Sequence, residues 1–256
     1  MSLQERPGWM GIANFSESVF CAPEPRNTKF IYAVVRDYVF DELSRRKDVV
    51  RFVQVGANDG TGDDPLRRSV MQNGWQGLLI EPIPETFTRL QATYRDTPGL
   101  EFANLAISPE EGEMTFHVVE GRDALSSFSL ETILRYEQKY ENLRENMREL
   151  RVPTRRLDSL LRETGLHTPN VVVIDTEGCD DIVLRTYDFS VHKPDVLQLE
   201  HVHLSASAAT DLRDWLTELG FALIYDRHDV LAMNKASFDR SLINFCQKLV
   251  ATARAN

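Results

Sequence analysis

Four short clusters carry residue types suited to small-molecule chemistry. In the first, Val53-Gln-Val-Gly-Ala-Asn-Asp-Gly60, an apolar run enters a turn bearing Gly56 and Gly60. Glycine lets backbone come close to a ligand, and a helix starting just beyond would turn free N–H groups toward an anion. The turn is a poor dinucleotide fingerprint, which would need glycine at Asn58 and Thr61. The second cluster is Glu81, about 25 residues on from Gly56, near the ~20-residue offset of the ribose-binding acid in nucleotide-binding βαβ units. A carboxylate can accept hydrogen bonds from both vicinal ribose hydroxyls. A lone Glu before Pro82 is usually surface; its pairing with the glycine turn argues for a site. The third is Asp175-Thr-Glu-Gly178, where either acid could also serve as a helix N-cap. The fourth is Glu200-His-Val-His203. If the strand before it continues, His201 and His203 share a face, and either could take a proton from a hydroxyl near neutral pH.

The elements around these clusters place all four at the carboxyl ends of strands. Arg51–Val55, Gly77–Glu81, Val171–Ile174 and Val196–Glu200 read as strands separated by helical stretches, among them Pro84–Tyr94 and Asp211–Leu219. Glu101–Ile107 and Met114–Val119 read as further strands. Alternating strands and helices imply a parallel sheet with helices on both faces, which binds ligands beyond the carboxyl ends of its strands. Phe221–Tyr225 and Val230–Met233 are joined by a link too short to cross over, so they form an antiparallel hairpin. Residues 1–48 read as a polar arm followed by a helix that caps the sheet, with Ile31, Val34, Val35, Tyr38 and Val39 on one side. Residues 49–256 form the ligand-binding domain. Within it, Ile133, Tyr136, Tyr140, Leu143, Met147 and Leu150 repeat at alternating spacings of three and four, which predicts one long amphipathic helix over about 129–150. That stripe also suits a homodimer contact.

The chain has 256 residues and a net charge of -10, with 42% hydrophobic and 27% charged residues. An acidic balance argues against nucleic acid or an anionic membrane as partner, and leaves a small molecule as the expected one. Cys21, Cys179 and Cys246 are far apart and form no CxxC pair, as expected for reduced thiols. The opening residues lack a signal-peptide core, and no run approaches the ~18 apolar residues of a membrane span. The expected location is the cytoplasm.

Taken in order, VQVGANDG (53–60), LLIEPIPETFTRL (78–90), NLAIS (104–108), VPTRRLDSLL (152–161), VIDTEG (173–178), LQLEHVHL (197–204) and FALIYDRHDVLAM (221–233) resemble the FkbM-type family of class I methyltransferases. The resemblance implies an α/β, Rossmann-like class I methyltransferase fold. Its sheet has seven strands, mostly parallel, and closes in the antiparallel hairpin. It also implies S-adenosylmethionine as cofactor and O-methylation of a hydroxyl on a sugar, glycan or polyketide-type metabolite. By motif match, Gly56, Ala57, Asn58 and Gly60 surround the methionine part, and Glu81 with Pro82 holds the ribose. Asn104 and Ala106, within the block ending at Ser108, lie near the adenine. Asp175 and Glu177 lie near the sulfonium and the acceptor. Gln54 departs from the pattern, since the family usually has Asp there.

Such a reaction needs alignment of the acceptor, methyl group and sulfur, and a base for the hydroxyl proton. His201 or His203 is the expected base, oriented by Asp175 or Glu177. No metal is favoured; the lesser alternative is a divalent ion on Asp175, Glu177 and Glu200 with the histidines. Competing function classes are a non-catalytic scaffold of the same fold, a nucleic-acid methyltransferase, and a nicotinamide-dependent dehydrogenase. The acidic balance disfavours the second, and Asn58 with the terminal hairpin disfavours the third.

Overall fold

A computed structural model describes residues 26–62 and 64–255; most of the expected N-terminal arm, with Cys21, lies outside the described residues. Seven strands form one sheet: β1 (Arg51–Val55), β2 (Gln76–Ile80), β3 (Leu100–Ala103), β7 (Val171–Ile174), β8 (Val196–Glu200), β9 (Phe221–Tyr225) and β10 (Asp229–Asn234). Their order is β3-β2-β1-β7-β8-β10-β9. The β1–β2, β2–β3, β1–β7 and β7–β8 pairs are parallel. β10 inserts antiparallel between β8 and β9. The hairpin is therefore present, and its second strand lies inside the edge.

Side chains alternate across this sheet, and each face is apolar, as a sheet covered on both sides requires. Phe52, Val171, Val173 and Val196 face one core layer, together with Ile31, Val35 and Val39 of α1 (Arg26–Arg46) and Ile243 and Val250 of α8 (Arg240–Ala255). Val53, Val55, Val172, Ile174 and Leu197 face the other, with α5 (Leu157–Glu163), α6 (Asp180–Leu184) and α7 (Ala206–Glu218). The helix expected as a cap is thus built into the domain's own core. Two further helices, α2 (Arg67–Asn73) and α3 (Pro84–Thr93), follow β1 and β2.

Two expectations are corrected. The stretch 101–107 is not one strand: β3 ends at Ala103, and β4 (Ala106–Ile107) joins β5 (Gly112–Val119) and β6 (Met147–Arg155) in a second, three-stranded sheet of order β4-β6-β5. The break is Asn104, whose Nδ2 donates to the carbonyls of Glu81 (2.8 Å) and Pro82 (3.1 Å). The long helix over 129–150 does not form. Only α4 (Leu130–Leu134) is helical, capped by Ser129, and turns follow, with Asn142 at φ +57°. Met147–Arg155 is β6, paired antiparallel with β5 (Gly112–Val119) from Met147↔Val119 to Thr154↔Gly112. The stripe's apolar residues are still covered: Tyr136, Tyr140 and Met147 pack on Val119, Ile133 and Leu143. The continuous stripe that suited a dimer contact is absent. Pro153 and the alternation Leu150, Val152, Thr154 favour a strand over a helix there.

Candidate active site

A cleft of about 300 Å³ opens beyond the carboxyl ends of β1, β2 and β7 and is roofed by the β4-β6-β5 sheet. Its floor begins at Gly56, where β1 turns. Gly56 has φ +80°, and a Cβ there would overlap the carbonyl oxygen of Asp175. Only glycine lets the two strand ends meet this closely. The amides of Gly56 and Ala57 both donate to the Ile80 carbonyl, each at 3.0 Å, so the turn is tied to β2 as well.

Glu81 follows directly on β2 and lines the cleft. Only 5% of its surface is exposed. Its Oε2 accepts from the Asn58 amide at 3.0 Å and its Oε1 from the Ile83 amide at 2.9 Å. Burial pushes the carboxyl up to about 7, and the two amide hydrogen bonds act against that rise. Further out, Ile83, Ile107, Phe116 and Phe128 give the cleft apolar walls.

At the end of β7 the chain makes a strained turn. Glu177 has φ +52° and Gly178 φ +99°. Ser127 Oγ donates to the carbonyls of Glu177 (2.9 Å) and Thr176 (3.3 Å) and holds the turn in place. A Cβ on Gly178 would sit 2.6 Å from Thr132 Oγ1 of α4, so the inserted segment locks this turn. Left-handed backbone at a non-glycine residue persists only where its surroundings enforce it.

The turn presents a group of acids. Asp175 is exposed, and the space it faces is the cleft. The cleft walls close around that carboxyl and withdraw it from bulk water; this, then the like charges of Asp180, Glu177 and Asp229, raises it well above the usual range. Asp180 is fully buried and ties the turn to β8, accepting from Thr176 Oγ1 (3.0 Å) and the Glu200 amide (3.2 Å). Glu177 lines the cleft. Behind it, His203 Nε2 lies 3.2 Å from Glu177 Oε2 and 3.3 Å from Glu200 Oε2. Burial, with Asp175, Glu177, Asp180 and Asp229 nearby, pushes Glu200 up to about 10. Two carboxylates thus meet one imidazole nitrogen, with Asp175 and Asp180 close to them, and the field at this end of the cleft favours a cation.

Of the residues singled out from sequence, Gly56, Ala57, Asn58, Glu81, Pro82, Ala106, Asp175 and Glu177 line the cleft. Gly60 lies behind, against the Tyr94 ring, and Asn104 braces the end of β2 from outside the cleft wall. The two histidines do not share a face. The strand stops at Glu200, His203 turns toward Glu177, and His201 Nε2 turns to the Asp226 carbonyl at 3.3 Å. Neither ring is part of the cleft lining. The metal alternative also regroups. Glu177, Glu200 and His203 bring ligand atoms within 4.8 Å of one another, without Asp175 or His201. Sequence reading missed Asp64, Asp123, Ser126 and Phe128, which also line the cleft. Asp123 accepts from Thr86 Oγ1 (2.7 Å) and from Arg89. Among the described residues, no helix is long and apolar enough to cross a membrane.

Strand order, the inserted antiparallel strand and a cleft over β1, β2 and β7 define a Rossmann-like class I methyltransferase fold. Within that class the chain belongs to the FkbM methyltransferase family, whose domain, described as Methyltransferase FkbM domain, matches residues 54–223. It is similar to the 2-O-methyltransferase NoeI of Sinorhizobium fredii (strain NBRC 101917 / NGR234), at 24% identity over 135 residues, covering 52% of this chain and 55% of that protein. The chain thus spans about half the length of that relative. Among solved structures it is similar to methyltransferase FkbM from Methylobacillus flagellatus KT, with TM-score 0.45 and 16% identity, covering 72% of this chain and 44% of that one. It is also similar to precorrin-6y C5,15-methyltransferase from Geobacter metallireducens GS-15, with TM-score 0.41 and 11% identity, covering 78% and 86%.

Proposed function

We propose that the protein transfers the methyl group of S-adenosylmethionine to a hydroxyl of a small-molecule acceptor such as a sugar, glycan or polyketide-type metabolite. The observation that carries this reading is the cleft's pairing of a buried acid, Glu81, at one side with a floor of carboxylates, Asp175 and Glu177, at the other. That donor set fits a ligand with vicinal hydroxyls at one end and a positive charge at the other, and the apolar walls between suit a flat ring. Family membership supports methyl transfer, and similarity to the 2-O-methyltransferase NoeI supports oxygen as the acceptor atom.

Bound S-adenosylmethionine supplies an activated methyl group on a sulfonium. Glu81 accepts the ribose hydroxyls, the turn from Gly56 to Asn58 cradles the methionine part, and Asp175 faces the positive charge. Glu177 is the cleft carboxylate that takes the acceptor's proton. His203 stands behind it as a positioning residue, with Glu200 beside the same ring nitrogen, so the proton arriving on Glu177 is shared with an imidazole 3.2 Å away. This keeps His203 in proton transfer and routes the transfer through Glu177.

Calorimetric titration with S-adenosylmethionine and its demethylated product tests the reading. Micromolar binding is expected, and Glu81→Ala is expected to weaken it by roughly 30- to 150-fold, the loss of hydrogen bonds to a charged group. Because ribose hydroxyls bind the ionised carboxylate, affinity is expected to fall as pH drops below about 7, the value to which burial raises Glu81. In Glu81→Ala this pH dependence should vanish. No binding by folded wild-type protein would move the scaffold reading to the front.

A second reading of the acidic end has its own observation, the convergence of Glu177, Glu200 and His203. Two carboxylates and an imidazole are a donor set for Mg²⁺ or Mn²⁺. The relay predicts turnover that survives EDTA and does not respond to added Mn²⁺. Turnover abolished by EDTA and restored by Mg²⁺ would assign these three side chains to a cation instead.

A further inference from the structure

Gln54 breaks the family pattern, and its surroundings show what replaces the missing charge. Its side chain leaves β1 on the same face as Phe52 and is 3% exposed, and the residue lines the cleft. Its Nε2 donates to Asp64 Oδ1 at 3.2 Å. That bond fixes which end of the amide is which, because a carboxylate only accepts. Gln54 Oε1 is left buried with no hydrogen-bond partner. A buried acceptor without a donor is destabilising unless a ligand or water satisfies it.

Asp64 lines the same part of the cleft. Its Oδ1 also accepts from the Leu66 amide at 2.8 Å, and its Oδ2 accepts from Tyr94 hydroxyl at 2.9 Å. None of these three donors is a cation. The nearby Arg67 guanidinium is engaged elsewhere, donating to the Gly60 carbonyl at 2.8 Å and lying over the Tyr94 ring. The carboxylate is thus held rigidly by neutral groups with lone-pair capacity to spare, beside a second acceptor that lacks a donor.

We propose that Asp64 and Gln54 Oε1 together receive the ammonium group of the cofactor's amino-acid part, so that the charge missing from the end of β1 is supplied by the loop that follows it. An ammonium brings three donors and no acceptor, and so matches two converging acceptors of which one is charged. Gln54 serves as a spacer that aims Asp64 and adds its own carbonyl. The inference rests on the cofactor reading above, and assigns to Asp64 a role that local motif comparison at Gln54 does not reveal.

The test is calorimetric titration of S-adenosylhomocysteine and of its deaminated analogue, which keeps the carboxylate, sulfur, ribose and adenine. Asp64→Asn retains Oδ1 for Leu66 and Gln54, and its Nδ2 can donate to Tyr94 hydroxyl once that group rotates. It is expected to weaken S-adenosylhomocysteine by about 10- to 100-fold and to leave the deaminated analogue within about twofold, so wild type and variant bind the analogue alike. Gln54→Leu fills the same space without the acceptor, should show a smaller loss of the same selective kind, and carries the test if Asp64→Asn does not fold. Equal weakening of both ligands, or of neither, overturns the proposal. Wild-type protein that binds neither ligand overturns the cofactor reading itself, a result distinct from either of those.

Discussion

Glu177→Gln is expected to lower kcat by about 10²- to 10⁴-fold, the usual contribution of a positioned base, while S-adenosylmethionine affinity stays within about threefold. The amide keeps the side chain's size and can still accept one hydrogen bond, but it cannot take the acceptor's proton. It also removes one charge from a crowded group. Asp175 and Glu200 both sit close enough to Glu177 for its charge to help raise their carboxyls, so its loss relieves repulsion and should not unfold the protein. The measurement is single-turnover methyl transfer with saturating cofactor, which separates chemistry from binding and product release. His203→Ala should give a smaller kcat loss and a changed pH profile with KM unmoved, because the imidazole shares the proton without touching the acceptor. A Glu177→Gln enzyme that keeps more than about a tenth of wild-type kcat would pass the base role to Asp175, the carboxylate that lines the same end of the cleft.

The parts of this site legible in the sequence are those where one local segment makes both a strand and the cleft lining at its end. Val53–Val55 running into Gly56, Leu78–Ile80 into Glu81, and Val171–Ile174 into Asp175 each end a buried parallel strand, and each apolar run is long enough to mark where its strand stops. The roof was not legible. Phe128 and Ser126 reach the cleft because His117 bridges to Ser127 and because β5 pairs with β6 at a distance of about thirty to forty residues, a register no local pattern announces. The stripe from Ile133 to Leu150 misled for the same reason. Its spacing of three and four is equally met by a short helix, turns and a strand, whose apolar side chains close on two clusters, Tyr136, Tyr140, Leu143 and Met147 with Val119, and Leu150 with Phe116 and Val152. The histidines diverged because β8 ends one residue before His201, where the amides of His201 and Val202 both turn to the His228 carbonyl. Asp64 carried a faint signal, an acid next to Pro65 just after the glycine turn, but its meaning depends on the amide of Gln54 across the loop.

Gly56→Ala is expected to abolish detectable S-adenosylmethionine binding and to lower Tm by roughly 10 °C. Two costs add at this position. An alanine at φ +80° occupies backbone space disfavoured by about 1–2 kcal/mol for any side chain. Its Cβ would also overlap the Asp175 carbonyl, and backbone cannot swing aside as a flexible side chain can; relief of such overpacking costs a further 1–3 kcal/mol or so. For a chain of this size each kcal/mol shifts Tm by about 2–4 °C. Relief requires β1 and β7 to part where Val55 pairs with Ile174 and the Asp175 amide donates to the Val55 carbonyl at 3.0 Å. That displacement moves Asp175 and the Asn58 amide, and through the latter one of the two hydrogen bonds that hold Glu81. Cofactor binding therefore suffers from both sides of the cleft at once. Gly165→Ala is the control, since Gly165 shares the left-handed backbone at φ +73° and a Cβ there meets nothing within 4 Å. It should lose only the backbone cost, a Tm drop of about 2–8 °C, with affinity unchanged. If Gly56→Ala matched Gly165→Ala in both stability and affinity, the contact between the ends of β1 and β7 would not be what shapes the cleft.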